Sequence, residues 1–99
     1  MDPRIWGPPL WREMFCRAID YRGDIHAELC WLLIDLPLKI QCGECRYHWR
    51  IWINNHRPDL DRYFEWVWRA KQADNARRHV PGITLDAARQ LYARPLTEN

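Results

Sequence analysis

The sequence predicts an all-α fold, a four-helix bundle with a short fifth helix. Apolar residues recur at helical spacing along most of the chain, and no segment shows the strict apolar–polar alternation of a half-buried strand. The segments between the periodic stretches are short, which favours antiparallel neighbours. The 99 residues suffice for one hydrophobic core, so we expect a single domain that spans residues 1–99.

Proline and glycine bound the first two predicted helices. The first helix, Leu10–Ile19, is entered through Pro8-Pro9, because a proline in the first turn lacks only an N–H group that would have no helical partner there. Gly23 ends this helix, and the aspartate after it caps the next. We expect the second helix over Ile25–Asp35, with Pro37 as its end.

Three more helices follow. The third is predicted over Cys42–Asn55, and the dense apolar positions along it indicate that much of its surface is covered. One of the two aspartates after Pro58 caps the fourth helix, which reaches Arg78. Thr84 then caps a last, short helix over Leu85–Ala93.

Charge and hydropathy disfavour several classes of partner. The net charge of +2, from 15 basic and 13 acidic residues scattered along the chain, is too weak to indicate nucleic acid or an anionic membrane. The longest apolar run, Cys30–Ile34, is far shorter than the ~20 residues that span a bilayer. The start, Met1-Asp2-Pro3-Arg4, has no apolar stretch typical of a secretory signal. We therefore expect no membrane span and a cytoplasmic location.

Tryptophan is unusually frequent, with seven in the chain. Composition alone favours a small core that uses large rings to gain buried area, each ring covering ~150–250 Å². The alternative interpretation is that some of these rings line a flat aromatic ligand.

Cys42-Gly43-Glu44-Cys45 is the motif that carries redox chemistry. Two sulfurs three residues apart share one face of a helix and lie within disulfide reach. At a helix N-terminus the partial positive charge and the free N–H groups favour thiolate, and Arg46 adds positive charge nearby. We interpret the pair as a redox disulfide.

Zinc binding and a purely structural role are the alternatives for this pair. Cys42, Cys45 and His48 have ligand-like spacing. A fourth ligand could come from His26, His56 or His79. Structural zinc usually draws its ligands as two close pairs, and the sequence has no second pair, so the spacing favours redox chemistry.

Cys16 and Cys30 lie on consecutive predicted helices at similar distances from the turn near Gly23. The favoured interpretation is two small buried hydrophobic residues. A disulfide that joins the first two helices is the alternative. Because Cys16 lies on an apolar helix face, we expect it to have no part in electron relay.

Several motifs occur in an order that matches a known family. Trp6-Gly7-Pro8-Pro9-Leu10-Trp11 has the form WGxxxW, and Cys42–His48 has the form CxxCxxH. The ordered set continues with Trp52–Leu60, Trp66, Lys71–Asn75, Arg77, Pro81 and Tyr92. Over residues 5 to 93 this set resembles the Erv/ALR family of FAD-linked sulfhydryl oxidases.

The resemblance implies a helical bundle that holds FAD, with its isoalloxazine ring beside the two cysteines. By position, Cys45 would be the cysteine next to the flavin, and Cys42 would exchange with substrate. Electrons would pass from substrate thiols through the Cys42–Cys45 disulfide to FAD and then to O2, giving H2O2. The protein would position the cofactor, which performs the difficult redox step.

The resemblance also implies FAD contacts for a larger set of residues. The motif residues Trp6, Gly7, Trp11 and His48 would lie beside the flavin, and Asn75 would hydrogen-bond it. Trp66 and Lys71 would lie near the adenine. The cationic groups for the pyrophosphate would be Arg77, Arg78 or His79, since guanidinium matches phosphate geometry. Phe15, Gln72 and Tyr92 complete the predicted set.

The chain departs from the family pattern at four places. Phe15 replaces a histidine, Val80 replaces a lysine near the phosphates, and Gln41 replaces the proline before the first cysteine. Of the family's HNxVN segment only Asn75 remains. Because Phe15 can still stack and Gln72 can still hydrogen-bond, we expect FAD to be retained in an altered adenine pocket.

The resemblance further implies partners. Many members carry a second, shuttle disulfide on a flexible arm, whereas the tail Leu96–Asn99 has no cysteine. We therefore expect a separate dithiol protein, either substrate or shuttle, to reach Cys42 directly. The family is usually homodimeric, which predicts a homodimer. The small size is most similar to viral members, for which the cytoplasm would be that of an infected host cell.

Overall fold

The described part of the chain is built from helices and contains no β-strand, which confirms the predicted all-α fold. The computed structural model describes residues 3–93, with side chains from Ile5 onward. Met1 and Asp2, at the start predicted to lack a secretory signal, lie outside this range, as does the cysteine-free tail. Within it, none of the helices is both long enough and apolar enough to cross a bilayer.

Residues 3–93 form six α-helices and two helical turns, one wider and one tighter than an α-helix. The helices are α1 (Pro3–Asp20), α2 (Ile25–Cys30), α3 (Leu36–Lys39), α4 (Gly43–Asn55), α5 (Tyr63–Arg77) and α6 (Leu85–Ala93). A π-helical turn, Trp31–Asp35, joins α2 to α3, and a 3-10 turn, Leu60–Arg62, precedes α5. Because α2, the π turn and α3 run on without a break, the described residues form four main helical segments and the short α6, as predicted.

Pro8 and Pro9 do not mark the start of α1, which corrects one prediction. The helix begins at Pro3, and the two prolines lie inside it. Trp6 and Leu10, on either side of the proline pair, pack against the core. This packing outweighs the hydrogen bonds that the prolines cannot donate, since tertiary contacts supply most helical stability in a folded protein.

Pro37 does not end the second helical segment, which is a second correction. The Leu36 N–H donates to the carbonyl of Trp31, five residues earlier. This wider turn changes the helical register just before the proline, and the chain stays helical to Lys39. It also places Trp31, Leu32, Leu36 and Pro37 in the interior.

The predicted helix signals at three other places are confirmed. Gly23 adopts a positive φ of 101°, which a side-chain-bearing residue rarely adopts, and so ends α1. The Asp24 side chain accepts the N–H of Ala27 at 3.1 Å and caps α2. The Thr84 hydroxyl accepts the N–H of Ala87 at 3.1 Å and caps α6, which has the predicted bounds.

The core lies where α1 packs on α5 and α6 and where α3 packs on α4. Its buried members are Met14, Phe15, Trp31, Leu32, Leu36, Ile40, Trp49, Ile53, Tyr63, Trp66, Val67 and Ala70. The other four tryptophans are partly buried and pack against this cluster. All seven therefore contribute to the core, as the composition favours.

Cys16 and Cys30 are free thiols, and both are half-buried. The alternative of a disulfide between the first two helices is therefore not realised in this structure. The favoured interpretation as small buried residues holds only in part, since both cysteines keep some solvent exposure. Cys30 Sγ lies 3.7 Å from Nε2 of His26, one turn earlier on α2.

Candidate active site

Cys42 is the N-cap of α4, one residue before the helix begins. Its backbone is extended, and its sulfur accepts the N–H of Cys45 at 3.2 Å, the same bond that a serine or threonine cap would accept. The motif therefore places the Cys42 sulfur at the N-cap position and the Cys45 sulfur within the first turn of the helix. Both thiols are free and half-buried.

The two thiols differ in acidity. The hydrogen bond donated by the Cys45 thiol, together with the backbone N–H of Cys45, holds the pKa of Cys42 below its ordinary value. Burial raises the pKa of Cys45, and the hydrogen bond to Cys42 raises it further, while the nearby Arg77 guanidinium opposes the rise. Cys42 is thus the thiol that ionises first and the better nucleophile at moderate pH.

A cavity of about 350 Å³ opens beside α4. This volume lies in the lower part of the ~300–1,000 Å³ range of small-molecule sites. The lining comes from Trp6, Gly7, Leu10, Trp11 and Met14 of α1; Leu36 and Ile40 of α3 and its C-cap; Cys45, His48, Trp49, Ile51, Trp52, Asn55 and His56 of α4 and its C-cap; and Ala70, Ala73, Asp74, Arg77 and Arg78 of α5 and its C-cap.

Small residues create this space opposite the large rings. Gly7 on α1 and Ala70 and Ala73 on α5 present little or no side chain where Trp49 and Trp52 of α4 face the cavity. The α5 lining positions 70, 73, 74 and 77 follow the i, i+3, i+4, i+7 pattern of one helix face. This face of α5 therefore carries small side chains near the middle of the helix and charged side chains near its end.

The two motif cysteines differ in their position relative to the cavity. Cys45 belongs to its lining, whereas Cys42, on the cap position, lies outside that lining. The next turns of α4 continue the wall from Cys45 with Trp49, Trp52 and His56, at i+4, i+7 and i+11. One sulfur of the pair therefore contacts a tryptophan-rich pocket, and the other is left to reagents that approach from outside.

Aromatic rings form a stack along this wall. The rings of Trp52 and His56 lie 4.5 Å apart between centroids with planes 12° from parallel, and Trp49 and Trp52 lie 5.9 Å apart at 24°. Trp66 supports the stack from the core, and its indole N–H donates to the carbonyl of His56 at 3.1 Å. Trp49, Trp52 and His56 all line the cavity, so the stack forms an aromatic part of its wall.

Charged residues stand on the α5 side of the cavity. Asp74 pairs with Arg77 at 3.0 Å and with Arg78 at 3.6 Å. Lys71, one turn earlier, lies over the Trp11 ring at 5.2 Å and donates to Oδ1 of the buried Asn75 at 3.2 Å. Burial holds the pKa of this lysine below its ordinary value. The two guanidinium groups outnumber the one carboxylate, so this side of the cavity favours an anion.

Two buried polar atoms beside the cavity lack partners. The indole nitrogens of Trp6 and Trp49 are buried, and neither has a hydrogen-bond partner among the described residues. Both tryptophans line the cavity. Most buried N–H groups in folded proteins are paired, so these two donors are exceptions among the described residues.

The structure brings part of the predicted site together. The predicted residues that line the cavity are Trp6, Gly7, Trp11, Cys45, His48, Arg77 and Arg78. His48 also approaches Glu44, with 3.7 Å between Nε2 and Oε1. Lys71 and Asn75 lie behind the lining and contact it through Trp11 and through each other.

Phe15 and Tyr92, two other predicted site residues, lie outside the cavity lining. Their rings stack on each other at 4.0 Å with planes 11° apart, and Phe15 is fully buried. They join α1 to α6. Phe15 thus stacks, as expected, but on a side chain of its own protein.

Gln72 and His79 also have structural positions away from the lining. The Gln72 amide oxygen accepts the N–H of Ile83 at 3.2 Å, and its side chain lies so close to Gly82 that a Cβ there would collide with it. His79 adopts a φ of 56°, and the Val80 N–H donates to the carbonyl of Asn75 at 2.8 Å. This geometry ends α5 in the manner of a helix C-terminal motif.

Sequence reasoning missed Trp49, Trp52, His56 and Asp74 as parts of this wall. The spacing of residues 45, 49, 52 and 56 along one helix face was the available signal. His56 is the C-cap of α4, and a lone histidine at the end of a helix gives no local sign that it stacks on a tryptophan.

Zinc binding was the alternative role for Cys42, Cys45 and His48. Among the residues that the structure describes, no three histidine, cysteine or acidic side chains are arranged to hold a metal ion. Comparisons of the chain with protein-family models, with curated proteins and with solved structures found no match.

Proposed function

We propose that this protein is a flavin-linked thiol oxidase that forms disulfides in dithiol protein substrates. One observation carries the proposal: of the two cysteines in the motif, Cys45 lines a tryptophan-rich cavity and Cys42 lies outside it with a lowered pKa. A thiol oxidase needs this division, because one sulfur must meet a substrate protein while the other must meet an electron acceptor held inside.

The residues around the cavity fit a flavin. Its flat ring system would contact the aromatic wall of Trp49, Trp52 and His56. Arg77 and Arg78 would stand near the phosphates of FAD. At about 350 Å³ the cavity encloses a ring system better than a whole dinucleotide, so the adenine end would lie at the surface.

The chain's own steps are thiol–disulfide exchanges. In the oxidised protein, a substrate thiolate attacks the sulfur of Cys42, the Cys42–Cys45 bond breaks, and Cys45 leaves as a thiolate. The second substrate thiolate then attacks the mixed disulfide and releases Cys42, so that the substrate gains a disulfide and the pair holds two thiols. The lowered pKa of Cys42 favours its departure in this second step.

Residues near Cys45 act on the ionisation of its thiol, from which the electron pair would leave. Arg77 opposes the burial that keeps Cys45 protonated, and Asp74 fixes Arg77 through a 3.0 Å ion pair. Bound FAD would supply the acceptor for this electron pair and pass it to O2, giving H2O2. The net reaction, two thiols and O2 giving one disulfide and H2O2, then balances in atoms and electrons.

An oxygen-electrode assay tests the proposal. The full chain, loaded with FAD, should consume O2 with dithiothreitol as substrate and form one H2O2 per O2. A flavin-free exchange protein would instead shuffle disulfides between substrates without O2 uptake. That second result, obtained with a correctly folded chain, would contradict the oxidase function while leaving a redox role for the cysteines.

A further inference from the structure

We propose that Arg46 is a positioning residue that holds Cys42 beside Cys45, so that the two sulfurs stay within disulfide reach when both are reduced. The inference rests on the proposed function, which makes the pair an exchanging disulfide, and adds to it the side chain that keeps the reduced pair ready to form the disulfide again. It concerns the short connector that runs from Ile40, the C-cap of α3, to Cys42, the N-cap of α4.

Arg46 bonds this connector at both of its ends. Its guanidinium donates to the carbonyl of Ile40 at 2.8 Å and to the carbonyl of Pro37 at 3.0 Å. Its backbone N–H donates to the carbonyl of Cys42 at 2.9 Å. The side-chain bonds run to carbonyls at the end of α3, where a helix supplies too few N–H donors of its own. One residue of α4 thus ties the end of α3 to the N-cap of its own helix.

The position of the Cys42 sulfur depends on the path of this connector. Between Ile40 and α4 the chain has Gln41, which is exposed, and Cys42, whose backbone is extended. Ile40 is buried, but a buried side chain leaves the two soft torsions of each following residue unrestrained. The guanidinium bonds fix the Ile40 carbonyl and so direct the chain toward Cys42, whose sulfur accepts the N–H of Cys45 at 3.2 Å.

The guanidinium of Arg46 is engaged by main-chain carbonyls, although the sequence predicts that its charge favours thiolate. Hydrogen bonds from Cys45 lower the pKa of Cys42, and burial raises the pKa of Cys45. Outside the pair, the charged residues that act most on these two pKa values are Glu44 and Arg77. The observed bonds of Arg46 therefore assign it to the position of Cys42 rather than to the ionisation of the thiols.

The test is the equilibrium of the full chain with reduced and oxidised glutathione, without oxygen. One glutathione disulfide oxidises the two motif thiols to the Cys42–Cys45 disulfide and is itself reduced to two glutathione thiols. The remaining thiols are alkylated, and mass spectrometry of the peptide that contains both cysteines gives the oxidised fraction. Neither flavin nor O2 enters this measurement, so it does not depend on the cofactor.

R46M should lower the equilibrium constant for disulfide formation roughly tenfold, because a reduced Cys42 that is free to move away meets Cys45 less often. This change makes the potential of the pair about 30 mV less negative. R46K keeps the charge but lacks the planar fork that bonds two carbonyls at once, so its potential should shift in the same direction. A role of the charge in stabilising thiolate, which belongs to the reduced pair, would instead make the potential of R46M more negative and leave R46K unchanged.

R50M is the matched control, because it removes an exposed arginine from the next turn of the same helix. Its potential should equal that of the wild type, and a shift as large as that of R46M would overturn the inference. A potential of R46M that is unchanged or more negative, in a chain that keeps the wild-type circular dichroism spectrum, would overturn the inference alone. If R46M does not fold, R46K decides in the same way. A wild-type pair that forms no disulfide at any glutathione ratio would overturn the inference and the proposed function together.

Discussion

Two regions of the molecule treat buried polar groups in opposite ways. Between α1, α2 and α5, Arg17 binds Glu28 through two hydrogen bonds, 2.7 and 3.3 Å long, and the Tyr63 hydroxyl donates to the same carboxylate at 2.7 Å. The Arg17 guanidinium also lies 4.3 Å above the Trp31 ring. The cavity beside α4 instead leaves two buried indole nitrogens without protein partners.

The two regions differ in whether their buried polar groups find partners within the protein. Burial raises the pKa of Tyr63, and the hydrogen bond to Glu28 adds to the rise, so the phenol stays protonated and the cluster is a fixed structural joint. The cavity has mainly apolar walls, two arginines and one thiol, which under the proposed function would hold the cofactor. We call the Arg17 cluster the structural end of the molecule and the cavity with the motif cysteines its proposed functional end.

The largest expected effect concerns the cysteines at the functional end. C42S and C45S should each lower FAD-dependent O2 uptake with dithiothreitol by more than roughly 100-fold, because neither variant can form the exchanging disulfide. C42S should remain folded, since serine is a favoured N-cap and can accept the same N–H of Cys45. Matched circular dichroism spectra with lost O2 uptake are expected.

C16S is the control for that pair. Its thiol lies away from the cavity lining, so its O2 uptake should stay near the wild-type rate. A collapse of activity in C16S with folding preserved would show that electrons pass through α1, which would contradict the roles assigned to the two motif cysteines.

The next effect concerns the structural end. E28Q should lower the free energy of unfolding by about 2 kcal/mol, because it removes the charge that Arg17 and Tyr63 bond. E65Q, which breaks the exposed pair between Glu65 and Arg69, should cost less than about 0.5 kcal/mol. Urea unfolding checks both, and equal losses would show that the Arg17 cluster is no tighter than a surface ion pair.

A smaller effect concerns the hydrogen bond that the Trp66 indole donates to the carbonyl of His56. W66F leaves the carbonyl of His56 without its donor and should cost about 1 kcal/mol of stability. Thermal unfolding of the flavin-free protein checks this value. If W66F were as stable as the wild type, the hydrogen bond that anchors the stacked wall would have no energetic role.

The smallest effect is the difference in reactivity between the two motif thiols. The pKa of Cys42 lies below its ordinary value and that of Cys45 above it. Since only the thiolate is alkylated, iodoacetamide at near-neutral pH should modify Cys42 a few-fold faster than Cys45, and the preference should shrink as pH rises through both pKa values. Tandem mass spectrometry locates the label, and faster labelling of Cys45 would reverse the assignment.

Most of the fold was predictable because it depends on local signals. The spacing of apolar residues, the stop at Gly23 and the caps at Asp24 and Thr84 act within a few residues of chain. The two errors both concern proline, whose local effect was overridden: by core packing of Trp6 and Leu10 in α1, and by the π turn before Pro37.

The candidate site was predictable only in part, for a physical reason. The two-cysteine motif depends on a spacing of three residues, which can be read directly from the sequence. The cavity depends on small residues of α5 meeting large rings of α4 across space, and no local pattern reveals which alanine faces which tryptophan. Gln72 and Tyr92 show the same limit, since their observed partners, Ile83 and Phe15, are distant in sequence.

The visible absorbance spectrum of the purified full-length chain, recorded before and after FAD is added and unbound FAD removed, tests the central claim most directly. We expect a flavin band, present at purification or acquired on addition, at about one FAD per chain, which dithiothreitol bleaches without oxygen and air restores. A folded chain that carries no flavin band and takes up no FAD would contradict the account of the cavity as a flavin site.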